Sequence, residues 1–459
     1  PNILFLLADD QRFDTIAALG NEEVKTPNMD MLVERGLAFT NAHIPGGSCG
    51  AVCMPSRAMI HSGKNLYNLH NHGESIPSEH ALLGETLQES GYECCGIGKW
   101  HNGVESYGRS FTDGGEIFFG GMWDHWNVPA SHYDPTGKYA TRVPYISDAF
   151  HSNKVDTLIT DHITQGTHSS TLFANCAVNW LNNYEKDNPF FLYTAFLAPH
   201  DPRSMPEEFQ NLYDPASIKL PDNFESEYPF PYGLRNMRDE MLAVYPRTEE
   251  ETRQHIADYY GIITHLDYEI GRIIDALKAK GKFENTIIIF AGDNGLGLGQ
   301  HGLMGKQSVY EHSVRVPLVI SGPGVEQGLN TNSCYLLDLY PTICDMLEIE
   351  TPAGVEGHSL IGELRGEEVA QARDVLYFSY GDLARGVKKK NIKLSELVGD
   401  KGRHTQLFDL ETDPGEMNNH ANNPEYAEVL VEMQDELLKQ RELMNDIDTP
   451  VSKGYWQRY

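Results

Sequence analysis

The run Cys53-Met54-Pro55-Ser56-Arg57 brings a thiol, a helix-compatible proline and a guanidinium into five residues, behind the stretch Gly46-Gly47-Ser48-Cys49-Gly50. A proline is tolerated in the first helical turn, where its missing N–H has no partner to lose. Cys53 is therefore expected at a helix N-terminus, where free N–H groups and the helix dipole favour an anion. Arg57 follows one turn on and can return toward that anion. Asp9-Asp10 follow one apolar run and Asp293-Asn294-Gly295 follow another. Three carboxylates and an amide, with neither thiolate nor imidazole, are the donor set of a hard divalent cation, Ca2+ or alternatively Mg2+. In Gly98-Lys99-Trp100-His101, Lys99 and His101 alternate along an extended stretch and are expected to face one pocket. Ala198-Pro199-His200-Asp201-Pro202 and Gly305-Lys306 add a second imidazole and a second ammonium. Gly297, Gly299, Gln300 and His301 lie on the approach to Lys306, and His301 reads as structural rather than catalytic.

The elements that must position these residues are legible as buried runs. Residues 3–8, 190–197, 286–291 and 316–320 are continuously apolar, which suits strands covered on both faces of a parallel sheet. Both acidic pairs then stand at strand C-termini, where α/β folds place ligands. Between the strands, Ile256, Tyr260, Ile263, Leu266, Ile270, Ile273, Ile274 and Leu277 recur at helical spacing over 252–280. An α/β sandwich with helices on both faces follows. Residues 202–250 have little periodicity and are expected as a surface excursion near the rim of the site. After residue 365 come strand-like pieces at 375–380, 384–394 and 405–410, then an amphipathic helix at 424–443. The expected division is a catalytic unit, 1–365, and a small C-terminal α+β subdomain, 366–459. Lys388-Lys389-Lys390 reads as a solvated hairpin.

Cys53-x-Pro-Ser-Arg57, with these companions in this order, resembles the type I formylglycine-dependent sulfatases of the alkaline phosphatase superfamily. The stretches Thr26-Pro27-Asn28-Met29-Asp30-Met31-Leu32 and Leu407-Phe408-Asp409-Leu410-Glu411-Thr412-Asp413-Pro414-Gly415-Glu416 extend the likeness over almost the whole chain. The resemblance implies an alkaline-phosphatase-like sandwich: a large mixed, mostly parallel sheet flanked by helices, with an antiparallel sheet in the C-terminal subdomain. It implies that a formylglycine-generating or anaerobic sulfatase-maturating enzyme oxidises Cys53. The hydrated aldehyde then offers one hydroxyl to attack sulfur and a second to expel sulfate. Arg57, Lys99, His200 and Lys306 would surround the sulfate, with His200 protonating the leaving group and His101 assisting sulfate release. Asp9, Asp10, Asp293, Asn294 and the converted Cys53 would hold one Ca2+.

Two other readings share these motifs. Formylglycine-dependent phosphonate or phosphate ester hydrolases usually have Asp-His where this chain has Asp293-Asn294. A non-catalytic carbohydrate-binding relative would be expected to lose Cys53, Arg57, Lys99 or His200, and none is lost. The expected substrate is a sulfated carbohydrate, on whose rings Trp123, Trp126 and Tyr133 could stack. Pro206-Glu207-Glu208-Phe209-Gln210 with Leu212-Tyr213 resembles uronate 2-O-sulfatases of glycosaminoglycan breakdown, with His125, Arg203, Arg235 and His312 as candidates for a second anionic group.

The net charge of −30 excludes nucleic acid as a partner and requires a local cationic pocket to draw in any anionic substrate. No apolar run approaches the roughly 20 residues of a membrane span. The seven cysteines (49, 53, 94, 95, 176, 334 and 344) form no CxxC pair, which argues against a zinc cage, and their odd number leaves at least one thiol unpaired. Pro1-Asn2-Ile3-Leu4 reads as a core strand rather than a signal peptide, so any export signal is expected to have been removed. The family resemblance implies an exported enzyme, in a bacterial periplasm or an extracellular or lysosomal equivalent.

Overall fold

The computed structural model describes residues 1–148, 151–230, 233–367, 369 and 372–459. Its organisation follows from the first strand, β1 (Asn2–Ala8). Ile3, Phe5 and Leu7 enter one hydrophobic core, while Leu4, Leu6 and Ala8 enter a second on the other side of the sheet. A strand covered on both faces has no solvent side, which is why its sequence does not alternate. Each of the Ile, Leu and Phe side chains in β1 contributes about 1.5–3 kcal/mol by leaving water.

Seven further strands complete the sheet: β2 (Gly36–Phe39), β3 (Glu93–Lys99), β4 (Asp113–Phe118), β5 (Phe190–Ala195), β6 (Thr286–Gly292), β7 (Leu318–Ser321) and β8 (Gly328–Asn330). Their order is β8-β2-β7-β6-β1-β5-β3-β4. All run one way except β7, which is antiparallel to both β6 and β2. The expectation that 316–320 joins the parallel set is thereby corrected. Between β6 and β7 the chain makes only one helical turn, Glu311–Val314, and without a crossover helix it returns antiparallel.

The main helices are α1 (Pro27–Arg35), α2 (Cys53–Ser62), α3 (Ser169–Asn183), α4 (Glu249–Ala279), α5 (Leu339–Met346) and α6 (Ala427–Leu443). α1, α3 and α4 pack on the face that receives Leu4 and Leu6; α2, α5 and α6 belong to the other core. α4 begins where the Thr248 side chain accepts the Glu251 N–H, ahead of three acidic residues that suit a helix N-terminus.

The C-terminal sheet contains β9 (Val375–Tyr380), β10 (Ala384–Lys389), β11 (Ile392–Gly399) and β12 (Gly402–Asp409), all antiparallel neighbours. The expected single piece at 384–394 is thus two strands reversing at Lys390-Asn391. Lys388 is not solvated: it is buried, with Nζ 3.2 Å from Glu311 Oε2, while Lys393 Nζ lies 2.8 Å from Glu311 Oε1. The charge of Glu311 draws both ammoniums inward, whereas Lys389 is half-exposed and paired with Glu432, and Lys390 at the turn is exposed. The fifth strand comes from far away in sequence. Gly46–Gly47, just ahead of α2, pairs parallel to β9 through Ser379↔Gly46 and Tyr380↔Gly47. Gly46 has φ 96°, and a Cβ there would lie 2.1 Å from the Ser379 carbonyl oxygen. All seven cysteines are free. Among the described residues, no helix is long and apolar enough to cross a membrane.

Candidate active site

The C-terminal ends of β1, β3, β5 and β6 deliver the candidate residues to one edge of the sheet. β1 ends into Asp9 and Asp10, and a left-handed turn at Asp10 (φ 65°) directs the second carboxylate. β6 ends into Asp293 and Asn294. Asp293 Oδ1 accepts the Asp10 N–H at 3.1 Å, and Asn294 Nδ2 donates to Asp10 Oδ1 at 2.7 Å. Cys53 is the first residue of α2, as the position of Pro55 predicts. Its Sγ lies 3.4 Å from Lys99 Nζ and 3.6 Å from His101 Nδ1. β3 stops at Lys99, and His101 reaches the thiol through a left-handed residue (φ 71°) rather than by strand alternation. Lys99 and His101 do share one pocket, but by a turn.

Arg57 is fully buried and splits its donors. Nε gives 2.8 Å to Asp293 Oδ2, Nη1 gives 2.9 Å to the Lys99 carbonyl, and Nη2 is unpartnered 3.9 Å from Asp9 Oδ2. Lys99 Nζ bonds Asp9 Oδ2, and Lys306 Nζ bonds Asp10 Oδ1 at 2.6 Å. His200 donates Nδ1–H to the Asp201 carbonyl at 2.8 Å and sets Nε2 3.6 Å from Asp10 Oδ2. Asp9 Oδ1 and Asn294 Oδ1 are buried acceptors without a donor. Leaving such an oxygen unsatisfied costs about 1–3 kcal/mol. Two sets, Asp9 with Cys53 and Asp293, and Asp9 with Asp10 and His200, hold their ligand atoms within 4.8 Å of one another and could bind a metal ion. Orphaned oxygens among carboxylates fit a hard cation.

The electrostatics follow from burial among opposed charges. Burial pushes the Cys53 thiol up to about 11, against the pull of Lys99 and Lys306, so it is protonated near neutrality and a poor nucleophile. Burial and the neighbouring Asp9 raise the Asp293 carboxyl to about 7. Burial opposes ionisation of Asp9 too, but Lys99, His200, Arg57 and Lys306 overcome it and hold that carboxyl well below its usual range. Burial, with Lys99 and Arg57, keeps His101 neutral.

Above these groups opens a cleft of about 510 Å³, lined by Cys53, His101, His200 and Lys306 with Gly121, Met122, Met237, Arg238, Asp239, Gln307 and Tyr380 among others. None of His125, Arg203, Arg235 and His312 lines it. His125 is fully buried, bonded through Nδ1 to Ser169 Oγ at 2.7 Å and through Nε2 to the His200 carbonyl at 2.9 Å. Burial lowers it to about 4, so a neutral ring donates Nε2–H to that carbonyl. Arg203 lies over the Tyr259 ring, Arg235 pairs with Glu227, and His312 is buried beside Tyr310. Trp123 packs on Tyr145, Trp126 donates to Ser204 Oγ, and Tyr133 donates to the Phe111 carbonyl. His301 stacks on Tyr310 outside the cleft. The arginine that does reach the cleft is Arg238, paired with Asp201 and with Asp239 at 3.1 Å. It lies within the 202–250 excursion, where nothing in the local pattern separates it from Arg235.

A family model described as Sulfatase matches residues 1–349, and one described as N-sulphoglucosamine sulphohydrolase, C-terminal, matches residues 299–443. The chain is 26% identical to an N-acetylglucosamine-6-O-sulfatase of Bacteroides thetaiotaomicron, over 97% of this chain and 85% of that protein. It is 27% identical to a Delta 4,5-hexuronate-2-O-sulfatase of the same organism, over 94% and 87%. A solved structure of a protein in complex with its substrate D-glucosamine-2-N,6-O-disulfate superposes with a TM-score of 0.79 at 22% identity, over 98% of this chain and 99% of that one, which shows the fold.

Proposed function

We propose, from the premise that this chain belongs to the sulfatase family and is a sulfuric ester hydrolase, that it removes an O-sulfate from a carbohydrate at the cleft around Cys53. The observation that carries this reading is the meeting of Cys53 with Lys99, His101 and three buried carboxylates at one sheet edge. An aldehyde hydrate made from Cys53 by an oxidising partner enzyme would supply a hydroxyl nucleophile, and a divalent cation, Ca2+ or Mg2+, on Asp9, Asp10, Asp293 and Asn294 would withdraw charge from the sulfate.

The remaining work belongs to the chain's own side chains. Arg57, Lys99 and Lys306 are three buried cations against the carboxylates of Asp9, Asp10 and Asp293. A dication would leave this cleft positive inside a protein of net charge −30, which suits capture of a sulfate ester. His101, held neutral, accepts a proton beside the Cys53 position. His200 commits Nδ1 to the Asp201 carbonyl and keeps Nε2 to protonate the departing sugar oxygen. His125 fixes the His200 backbone rather than touching substrate. The similarity to an N-acetylglucosamine-6-O-sulfatase supports a hexosamine 6-O-sulfate as substrate, with a uronate 2-O-sulfate as the alternative carried by the second relative.

A panel of position-defined sulfated mono- and disaccharides, with sulfate release measured, tests this reading. Release is expected from a sugar sulfate, the 6-O-sulfated hexosamine first. Turnover of aryl sulfates with no release from any sugar sulfate would overturn the carbohydrate assignment.

A further inference from the structure

Away from the cleft, three side chains that the sulfatase reading leaves unused converge at the base of the excursion between β4 and α3. Asp161 Oδ1 lies 3.0 Å from His132 Nδ1 and 2.5 Å from His162 Nδ1. The two imidazole rings are 4.2 Å apart, and one ligand atom from each of the three residues fits within 4.8 Å of the others. We propose that His132, Asp161 and His162 form a second cation site, chemically distinct from the oxygen-rich cleft and suited to a divalent transition metal such as Zn2+.

Two imidazole nitrogens and one carboxylate oxygen are zinc-type donors, whereas the carboxylate and amide oxygens of the cleft suit a hard ion. A further observation concerns the far nitrogen of His162. Its Nε2 is bonded to Glu116 Oε2 at 2.8 Å. Metal-bound histidines characteristically give their other ring N–H to a carboxylate, which fixes the tautomer and turns the free nitrogen to the ion. Glu116 is set for that contact by a left-handed backbone (φ 49°), where the β3–β4 register shifts. The backbone holds the other two segments. His162 pairs with Ala130 across a short antiparallel ladder, and Ser131 bridges to Ile117 on β4. The His132 N–H points to both Asp161 oxygens at 3.2–3.3 Å. His132 is 73% exposed, leaving coordination positions for water. The rival arrangement is a purely protonic one, in which an imidazolium bridges Asp161 and Glu116 and no metal binds.

The test is a calorimetric titration of the full-length, Ca2+-loaded protein with ZnCl2 in a non-chelating buffer. Wild type should take up one equivalent more than His132→Ala or His162→Ala. Glu116→Gln should keep the stoichiometry and weaken that equivalent about 10–100-fold. Cys53→Ala should retain it, which separates this site from any zinc entering the cleft and from the sulfatase reading itself. His132→Ala should hydrolyse an aryl sulfate at the wild-type rate, which reports that it is folded; if it does not, His132→Gln takes its place in the same titration. Equal zinc stoichiometry in wild type and the His132 variant, or loss of the extra equivalent in Cys53→Ala, would overturn the site.

Discussion

His101 and His200 both reach the cleft, but their partners differ, and their removal should be felt differently. His200 presents Nε2 beside Asp10, whereas His101 presents Nδ1 to Cys53. His200→Ala should slow a sugar sulfate about 100-fold or more while leaving a nitrophenyl sulfate within about tenfold, because a phenolate leaves without protonation. His101→Ala should slow both substrates alike. Equal losses on both substrates in His200→Ala would end this division of labour. Cys53→Ala should abolish turnover yet still bind sulfate, since Arg57, Lys99 and Lys306 remain, and calorimetry with the product measures this. These residues were legible in the sequence because each sits in a short run at the end of an apolar segment, and the strand ends do the converging. Arg238 was not, because it enters the cleft by the path of an irregular excursion that no local pattern encodes. The same holds for His125, which reads as a ligand by type and turns out to brace the His200 backbone.

At the scale of elements, the informative contact is Gly46–Gly47 on the edge of the C-terminal sheet. Gly46→Ala adds a methyl 2.1 Å from the Ser379 oxygen in a left-handed backbone, so the strand must separate from β9. That should shift the loop leading into α2 and lower kcat, with a loss of stability of about 1–3 kcal/mol measured by urea unfolding. Wild-type activity and stability in the Gly46→Ala protein would show that this pairing positions nothing. The apolar runs and the α4 periodicity were readable because burial on both faces, or on one stripe, writes itself locally. The reversal of β7 and the parallel partner of β9 were not, since both depend on which distant segment lies alongside. The burial of Lys388 was hidden for a related reason: its partner, Glu311, lies far away in sequence.

For the molecule as a whole, the proposed division at residue 365 separates two stretches of sequence but not two cores. Leu376, Leu407, Met433 and Leu437 pack in the same cluster as Ile3 and Met59. A chain ended at residue 365 should therefore aggregate rather than fold, as size-exclusion chromatography would report, and a monomeric, active truncation would refute the shared core. Acid should destabilise the molecule for another reason. Burial lowers His43 to about 4 and His61 to about 3, and His61 packs between Trp100 and Tyr193 with neither nitrogen bonded. Their folded values lie below the unfolded 6.5, so the unfolded chain takes up protons first and stability falls as pH drops below about 6.5 toward those values. Each should cost about 1–2 kcal/mol by pH 5, and an unchanged Tm between pH 7 and pH 5 would contradict this. The edge strand ahead of Cys53 also carries a consequence in time. Its partner, Ser379-Tyr380, is synthesised roughly 330 residues later. At ribosomal rates of about 5–20 residues per second, the segment that carries Cys53 waits on the order of 20–60 seconds before it can be pinned. In the finished protein Cys53 is almost wholly enclosed. An enzyme that oxidises Cys53, as proposed above, would thus have its freest access during that interval.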